Sequence, residues 1–545
     1  MHNAIKPNHV FWIFALIALV WFSNLEYRKL VRPDEGRYAE IPREMVVSGD
    51  WITPRLNGIK YFEKPALQYW MTAAAYEIFG ERQWTARLWS GLTGFLGIVL
   101  IYLTGRLLFG PDAGFYSALV LASSLLYAVI GHLNTLDMGV TFFMCLSMCG
   151  FLLAQATAST PGARKLWMHA AWAAMGFSIL SKGLIGIVLP GAVLVIYTLV
   201  QRDWGIWKRL NLFSGIPLML LISAPWFFAV SRANPEFFHF FFIHEHFERF
   251  LTKDHGRYHP WSYFIPILLA GILPWVVTLF EALIHAWKPQ ESKFQPGRFL
   301  FIWIVFIYAF FSFSDSKLPS YILPIFPALA LLIGQRLASM TGNRLFWHIL
   351  PTAILGAIGL ALSPQVVRFA DPIVPQTLYE NYVPWLAAAA TTALIGALYA
   401  LYMSRHGKNE GAIVALSLSI LVSGQLIMAG HDSLAPANSA HDLARKIRPY
   451  LKNDAPFYSV SMYEQTLPFY IKRTVTLVAY QDEMAFGITQ EPGKWIADLE
   501  TFERTWKNQT YALAIMPPQI YAQLENHLSM QLIARDTRRV VVKTP

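Results

Sequence analysis

The sequence predicts an α-helical polytopic membrane protein that ends in a small α/β domain. Three observations point there. Of its 545 residues 55% are hydrophobic and only 14% charged, and the mean hydropathy is +0.38, outside the usual range of soluble chains. Apolar runs approaching the roughly 20 residues that cross a bilayer recur along most of the length. Beyond about residue 432 the pattern changes to polar runs, alternating strands and amphipathic helices.

Thirteen spanning helices are predicted, at about 10–24, 86–109, 113–131, 137–157, 166–180, 183–200, 211–230, 262–286, 299–313, 318–336, 346–363, 383–403 and 411–430. The first lacks a small-residue cleavage site behind it and reads as a retained helix. The run PALQYWMTAAAYEIFG at 65–80 is short for a span and rich in aromatic residues, so it is placed at the interface, flat or re-entrant. Charge supports that choice. With the N-terminus inside, the short inner loops carry Arg106, Arg164, Lys165, Arg202, Lys208, Arg209, Lys288, Lys293, Arg298, Arg336, Arg344, Arg405 and Lys408. The short outer loops carry only Lys182, Lys317 and Arg368. Shifting the parity by one helix would reverse this asymmetry and violate the preference for positive residues inside.

Residues 1–431 therefore form a transmembrane domain with two long outer loops, 25–85 and 232–261. The tail, 432–545, reads as an outer α/β domain, with strands in PFYSVSM, VTLVAY, YALAIM and RRVVVK and helices near 438–452, 462–471 and 517–528. Two cysteines, Cys145 and Cys149, lie four apart in an apolar run; they exclude a disulfide framework or zinc ribbon and read as packing residues. A net charge of +10 suits anionic lipid or phosphate ligands better than nucleic acid. There is no Walker loop, dinucleotide fingerprint or GxSxG elbow, so no nucleotide cofactor is expected.

The unusual polar residues gather on the outer side. In RPDEGRYAEIPREM, Pro33 fits the first position of a helix, with Asp34 and Glu35 in its first turn, and Pro42 should end or kink it. A solvated surface helix with internal salt bridges accounts for Glu40, Arg43 and Glu44. It accounts poorly for Asp34, nearest the emerging first helix, where an unpaired acid is costly. Asn57-Gly58 marks a turn, followed by Tyr61, Phe62, Glu63 and Lys64. Lys64 either snorkels to headgroups or holds a ligand. Asp137, in GHLNTLDMG, is either a helix N-cap or a second acid of the same face.

The second loop, NPEFFHFFFIHEHFERFLTKDHGRYHPW, crowds five histidines with acids and with Arg249 and Arg257. It is not HExxH, and an amphipathic interfacial loop explains most of its histidines. The two guanidinium groups suit a phosphate. In SDSKLPSYILP, Lys317 and Tyr321 sit at the outer end of the tenth helix, where turn chemistry explains much of the segment. Such a collection fits a lipid-linked anionic substrate: cations for its phosphate, aromatic rings for its sugar, acids for its positive charge.

The stretches PDEGRYAEIPREM, SGDWITPRLNGIKYFEKPALQYW and TLDMG closely resemble the bacterial polyprenyl-phosphate-dependent GT-C glycosyltransferases, relatives of protein O-mannosyltransferases. Within that group they are most similar to the aminoarabinose transferases, which move 4-amino-4-deoxy-L-arabinose from undecaprenyl phosphate to lipid A. The resemblance implies the GT-C fold, a bacterial inner membrane and a periplasmic active site. It implies polymyxin resistance as the consequence, with membrane lipids and no nucleic acid as further partners. By position, the catalytic acids fall on Asp34 and Asp137, with Glu35 beside them. Lys64 matches the lysine for the carrier phosphate and Arg249 its arginine partner; Arg37, Tyr38, Tyr61, Arg257, Lys317 and Tyr321 complete the expected substrate contacts. Members of the family can bind a metal such as zinc at the glutamate before that lysine, here Glu63, with a histidine of the second loop, for which His244 is chosen. Two alternatives stand beside this reading. One is the same fold moving another sugar, such as mannose, to a protein or glycan hydroxyl; the other is a lipid flippase, whose ionisable residues should lie at mid-membrane depth.

Overall fold

The computed structural model of this chain describes residues 7–156, 160–248, 259–289 and 293–545. Every predicted span falls on a helix or on a helix broken once. Among the described residues, eight helices are long and apolar enough to cross a membrane, or ten if two bent pairs each count as one span. Pro7–Phe22 and Ile185–Gln201 are shorter apolar helices. One bend, 66°, separates Pro111–Ser123 from Leu125–Gly131; the other, 111°, separates Trp261–Gly271 from Val276–Ala286. Pro274 lies in the second break, where its missing N–H and ring interrupt the ladder. Large side chains fill the bundle core, and two of its indoles are satisfied there: that of buried Trp21 donates to Gly91 O at 2.8 Å and that of Trp303 to Pro324 O at 3.0 Å.

The two ends of the bundle differ in kind. At one, the loops rich in basic residues pair with one another: Glu281 accepts from Arg336 (2.9 Å) and from Arg344, and Asp203 pairs with Arg209 (2.9 Å) and Lys293 (3.4 Å). At the other, the first long loop folds into helix, hairpin and helix. Asp34–Ser48 is a 15-residue helix capped by Pro33, so the proline sits one position earlier than expected, and Pro42 lies inside the helix. Packing explains both differences. All residues from Glu35 to Met45 are buried, so tertiary contacts, not local propensity, hold the helix through the lost hydrogen bond. The expectation of a solvated surface helix is corrected accordingly: Arg43 donates to both Glu40 oxygens, at 2.7 and 2.5 Å, and Glu44 accepts from the Gly58 N–H at 2.8 Å, all under cover.

Asn57 and Gly58, both at positive φ (56° and 75°), form the turn between β1 (Arg55–Leu56) and β2 (Ile59–Lys60). The next helix, Leu67–Phe79, has 13 residues and lies against Asp34–Ser48.

The tail folds into a six-stranded mixed sheet, ordered β5 (Trp495–Ile496), β4 (Thr476–Val478), β3 (Phe457–Val460), β6 (Leu513–Met516), β8 (Val540–Lys543) and β7 (Gln531–Arg535). The strands β5, β4, β3 and β6 run parallel to one another, and β8 pairs antiparallel with both β6 and β7. Period-two alternation sorts the faces. Phe457, Leu513, Ile515 and Val541 join a core shared with Tyr38, Ile41, Met45, Leu56 and Tyr69 of the first loop. Tyr458, Val460, Met516, Val540 and Val542 pack on Phe502 and Trp506 of the helix Leu499–Lys507. The sheet and the first loop thus share one interior.

Candidate active site

The site starts from a bolt. Glu35, in the first turn of its helix, is buried and accepts from Arg87 Nε (2.7 Å) and Nη2 (2.8 Å), and from the N–H groups of Val31 (3.0 Å) and Asn134 (3.0 Å). Arg87 also donates to the carbonyls of Leu25, Arg28 and Lys29. Burial alone would raise the carboxyl, but the Arg87 guanidinium overrides it and holds Glu35 down to about 2. This ion pair ties together the end of the first helix, the start of Asp34–Ser48 and the turn before Leu136–Gln155. Glu35 has no oxygen left for a substrate and does not line the cavity described next, so its expected catalytic role is corrected to a structural one.

Because Glu35 points inward, its neighbour Asp34 faces out into a cavity of about 210 Å³ at the membrane end of the bundle. Asp34, Arg37, Tyr38, Glu63, Lys64, Asp137, Lys182 and Tyr321 line it, together with apolar side chains including Ile185, Phe310 and Phe311. Asp34 keeps 46% of its side chain exposed and lies 3.8 Å from Arg37 Nη1. Asp137 is not an N-cap: Thr135 precedes the helix, and the Asp137 carboxylate pairs with Lys182 at the end of Pro161–Lys182. The Lys182 ammonium stands 4.9 Å above the Tyr321 ring. Lys64 donates to Glu63 O at 2.8 Å, with the Glu63 carboxylate 3.9 Å away.

Arg37 is buried between Tyr38 and Tyr61, 5.9 and 5.8 Å from their ring centres, and donates to Tyr61 Oη at 3.0 Å. Burial first, and then the Glu63 carboxylate, pushes the Tyr61 phenol well up, so it stays an O–H. Arg37 also pairs with Glu483, which comes from the C-terminal domain and accepts from Gln465 at 2.8 Å. Burial raises the Glu483 carboxyl, and Arg37 opposes that shift.

Arg37 and Glu63 form the wall between this cavity and a larger one, about 1350 Å³, under the C-terminal domain. That second space is bounded by Arg32, His239, Phe240, Tyr480, Phe486 and Arg538, among others.

Of the expected residues, Asp34, Arg37, Tyr38, Lys64, Asp137, Tyr321 and Glu63 meet at one cavity. Tyr61 stands behind them as a support for Arg37. Lys317 does not reach it: its buried ammonium is spent on the carbonyls of Ser314 and His259 (2.8 Å to the latter), which makes it a turn clamp. Arg249 and Arg257 lie outside the described residues, as does the side chain of His244. Among the described residues no group of three His, Cys, Asp or Glu is placed to hold a metal ion. Of the expected metal pair only Glu63 is therefore described, at the cavity wall. Lys182 and Glu483 are the site residues that sequence reasoning missed. Lys182 is visible beforehand only as a rare positive charge on the outer side, and nothing in the tail marks Glu483.

The family described as dolichyl-phosphate-mannose-protein mannosyltransferase matches residues 8–241, and the aminoarabinose transferase C-terminal domain matches residues 443–544. The undecaprenyl phosphate-alpha-4-amino-4-deoxy-L-arabinose arabinosyl transferase of Edwardsiella ictaluri is 33% identical over 438 residues, 78% of each chain. That of Erwinia tasmaniensis is 32% identical over 497 residues, 88% of each chain. The crystal structure of ArnT from Cupriavidus metallidurans bound to undecaprenyl phosphate superposes with a TM-score of 0.95 at 41% identity, covering 99% of this chain and 98% of that one. An archaeal oligosaccharyltransferase from Archaeoglobus fulgidus, 13% identical with a TM-score of 0.51, shares the fold alone. With a relative of this identity and coverage, the chain belongs to the undecaprenyl phosphate-alpha-4-amino-4-deoxy-L-arabinose arabinosyl transferases, membrane-embedded glycosyltransferases of the GT-C fold.

Proposed function

We propose that this protein moves 4-amino-4-deoxy-L-arabinose from undecaprenyl phosphate to a phosphate of lipid A, at the periplasmic face of the bacterial inner membrane. One observation carries the reading. A cavity walled by apolar side chains of the bundle gathers Lys64, Lys182 and Arg37 around the exposed acid Asp34, and it shares a wall with a second, larger cavity. A lipid-linked phosphate fits the first space and a bulky acceptor the second. The ionisable residues stand at helix ends, as a transferase requires, and the family assignment favours transfer over movement alone.

An acceptor phosphate oxygen attacks the anomeric carbon while the bond from that carbon to the carrier phosphate breaks; undecaprenyl phosphate leaves with the electron pair. Its developing charge needs cations already in place, and Lys64 and Lys182 supply them in a partly dry site. No base need deprotonate the acceptor, because a phosphate monoester with a second pKa of about 6 is already largely dianionic at neutral pH. Asp34 instead faces positive charge, either the oxocarbenium-like carbon or the 4-ammonium group of the sugar. Asp137 holds Lys182 by its ion pair, and Arg37 is fixed by Tyr61 and Glu483 at the boundary where the two substrates meet. Where a divalent ion is part of the site, Glu63 and His244 are the residues proposed to hold it, and it would add positive charge for the carrier phosphate.

Mass spectrometry of lipid A from cells with and without the gene tests the proposal. Added mass equal to one aminopentose is expected only with the gene. An unchanged lipid A, or a neutral hexose on protein, would refute it.

A further inference from the structure

The wall of the second cavity carries a guanidinium, that of Arg32, that the mechanism above does not use. Beside it Arg538 and Arg539 share two carboxylates, Glu464 and Asp536. Arg539 pairs with Asp536 at 2.7 Å and with Glu464 at 3.0 Å. Arg538 shares the same buried Glu464 at 3.3 Å and donates to Ala437 O at 2.8 Å. The other Glu464 oxygen already accepts from the Thr466 hydroxyl at 3.0 Å. Both acids are thus paired with Arg538 and Arg539, and among the described residues neither forms an ion pair with Arg32. Its Nε is buried with no hydrogen-bond partner among the described residues, and its guanidinium makes no ion pair among them. Burial, then Arg32 and Arg539, hold Arg538 below the ordinary arginine range, and an incoming anion would relieve that strain. The four acids of the cavity wall have other partners: Glu236 pairs with Lys60 at 2.6 Å, Glu483 with Arg37, Glu63 with Lys64 at 3.9 Å, and Asp482 accepts from Tyr480 at 3.1 Å.

We infer that Arg32 and Arg538 form a phosphate subsite in the second cavity, occupied by the phosphate of the acceptor that is not attacked. The inference rests on lipid A being the acceptor. Lipid A carries two phosphates, and geometry separates their roles. Arg37 lines both cavities and stands at the boundary with the sugar, so it serves the reacting phosphate. Arg32 and Arg538 line only the second cavity, so the anion they bind sits away from the reacting carbon. A guanidinium with free donors matches phosphate oxygens bidentately. A cavity of about 1350 Å³ has room for a phosphorylated sugar headgroup.

The test is kinetic, on the full chain in proteoliposomes with undecaprenyl phosphate-linked aminoarabinose. Bisphosphorylated and monophosphorylated lipid A are compared as acceptors for the wild type, Arg32→Gln and Arg32→Lys. The wild type should prefer the bisphosphorylated acceptor by about tenfold in kcat/KM, the loss typical of a charge-assisted contact removed from bound substrate. Arg32→Gln should abolish that preference by raising KM for the bisphosphorylated acceptor alone, with the donor KM unmoved. Arg32→Lys, which keeps the charge, should retain part of it. Because the Arg32 side chain makes no ion pair among the described residues and its Nε has no hydrogen-bond partner there, thermal melting should be unaltered in both variants. If the glutamine variant prefers the bisphosphorylated acceptor as strongly as the wild type, or its donor KM rises instead, the subsite is wrong while the transfer reaction stands. A lysine variant no better than glutamine would also count against it. A wild type that adds no aminopentose to either acceptor would remove the functional reading, and the subsite with it.

Discussion

Two adjacent acids in one helical turn do opposite work. Asp34 keeps nearly half its side chain open to the cavity, while Glu35 is saturated by Arg87 and two backbone N–H groups. Replacing Asp34 by Asn should lower kcat about 100-fold or more with normal folding, as expected when a charge placed for the transition state is removed. Lys64→Gln and Lys182→Gln should weaken the donor step, each raising the donor KM and lowering kcat, if both cations of the cavity serve the carrier phosphate as proposed. Retained turnover in all three would rule out this division of labour. Glu35→Gln should instead cost about 3–5 kcal/mol of stability by stranding a buried guanidinium, read as a fall in melting temperature. The acidity of Glu35 gives that loss a pH signature. Its carboxyl is held at about 2, below its unfolded value. The stability it contributes is therefore complete above the unfolded pKa, about 4.5, and disappears as pH falls from there toward 2. Acid melting curves should flatten over that window in the glutamine variant.

What could be read beforehand at this scale follows from chemistry. Asp34, Lys64 and Asp137 stand out because charges are scarce in the chain and sit where an apolar run ends. Glu35 looks the same in sequence as Asp34, since only the partner, Arg87, tells a bolt from a catalytic acid, and that partner belongs to a different helix. Lys317 misleads for a similar reason: a lysine in a polar turn reads as a ligand until its ammonium is found on the carbonyls of its own surroundings.

At the scale of elements, the helix Asp34–Ser48 carries the site only because the C-terminal domain closes over it. A Cβ on Gly36 would lie 2.6 Å from the Gln465 carbonyl carbon and 2.7 Å from the Thr466 nitrogen, both backbone atoms that cannot step aside. Gly36→Ala should therefore cost about 1–3 kcal/mol by overpacking and pull Glu483 away from Arg37. The expected result is a lower melting temperature and a reduced kcat in the same variant; unchanged values for both would show that the domain is not coupled to the site. The Asn57-Gly58 turn was legible because few other residues tolerate its backbone. The course of the helix through Pro42 was not, because part of its burial comes from tail residues more than four hundred positions away. The short strands β5 and β7 escaped notice for lack of a sustained alternating pattern, whereas Val540–Lys543 and Leu513–Met516 announced themselves.

At the scale of the whole molecule, the bundle supplies a chamber partly walled by apolar side chains and the tail supplies the roof of a second one. Arg37 and Glu63 stand between them. Hydropathy and the distribution of lysine and arginine over the loops were enough to place the helices, since bilayer thickness and membrane insertion act on the sequence directly. The meeting of the outer loops was legible in their shared charges, but the ion pairs that enforce it, Glu35 with Arg87, Asp137 with Lys182 and Arg37 with Glu483, were not, because they all join distant segments. The most direct measurement of this account is aminopentose transfer by purified full-length protein in proteoliposomes containing lipid A and the undecaprenyl phosphate-linked sugar. The wild type should add an aminopentose mass to lipid A and release undecaprenyl phosphate in equal amount, and Asp34→Asn and Lys64→Gln should not. Transfer at wild-type rate by both variants, or sugar movement across the membrane without transfer, would contradict it.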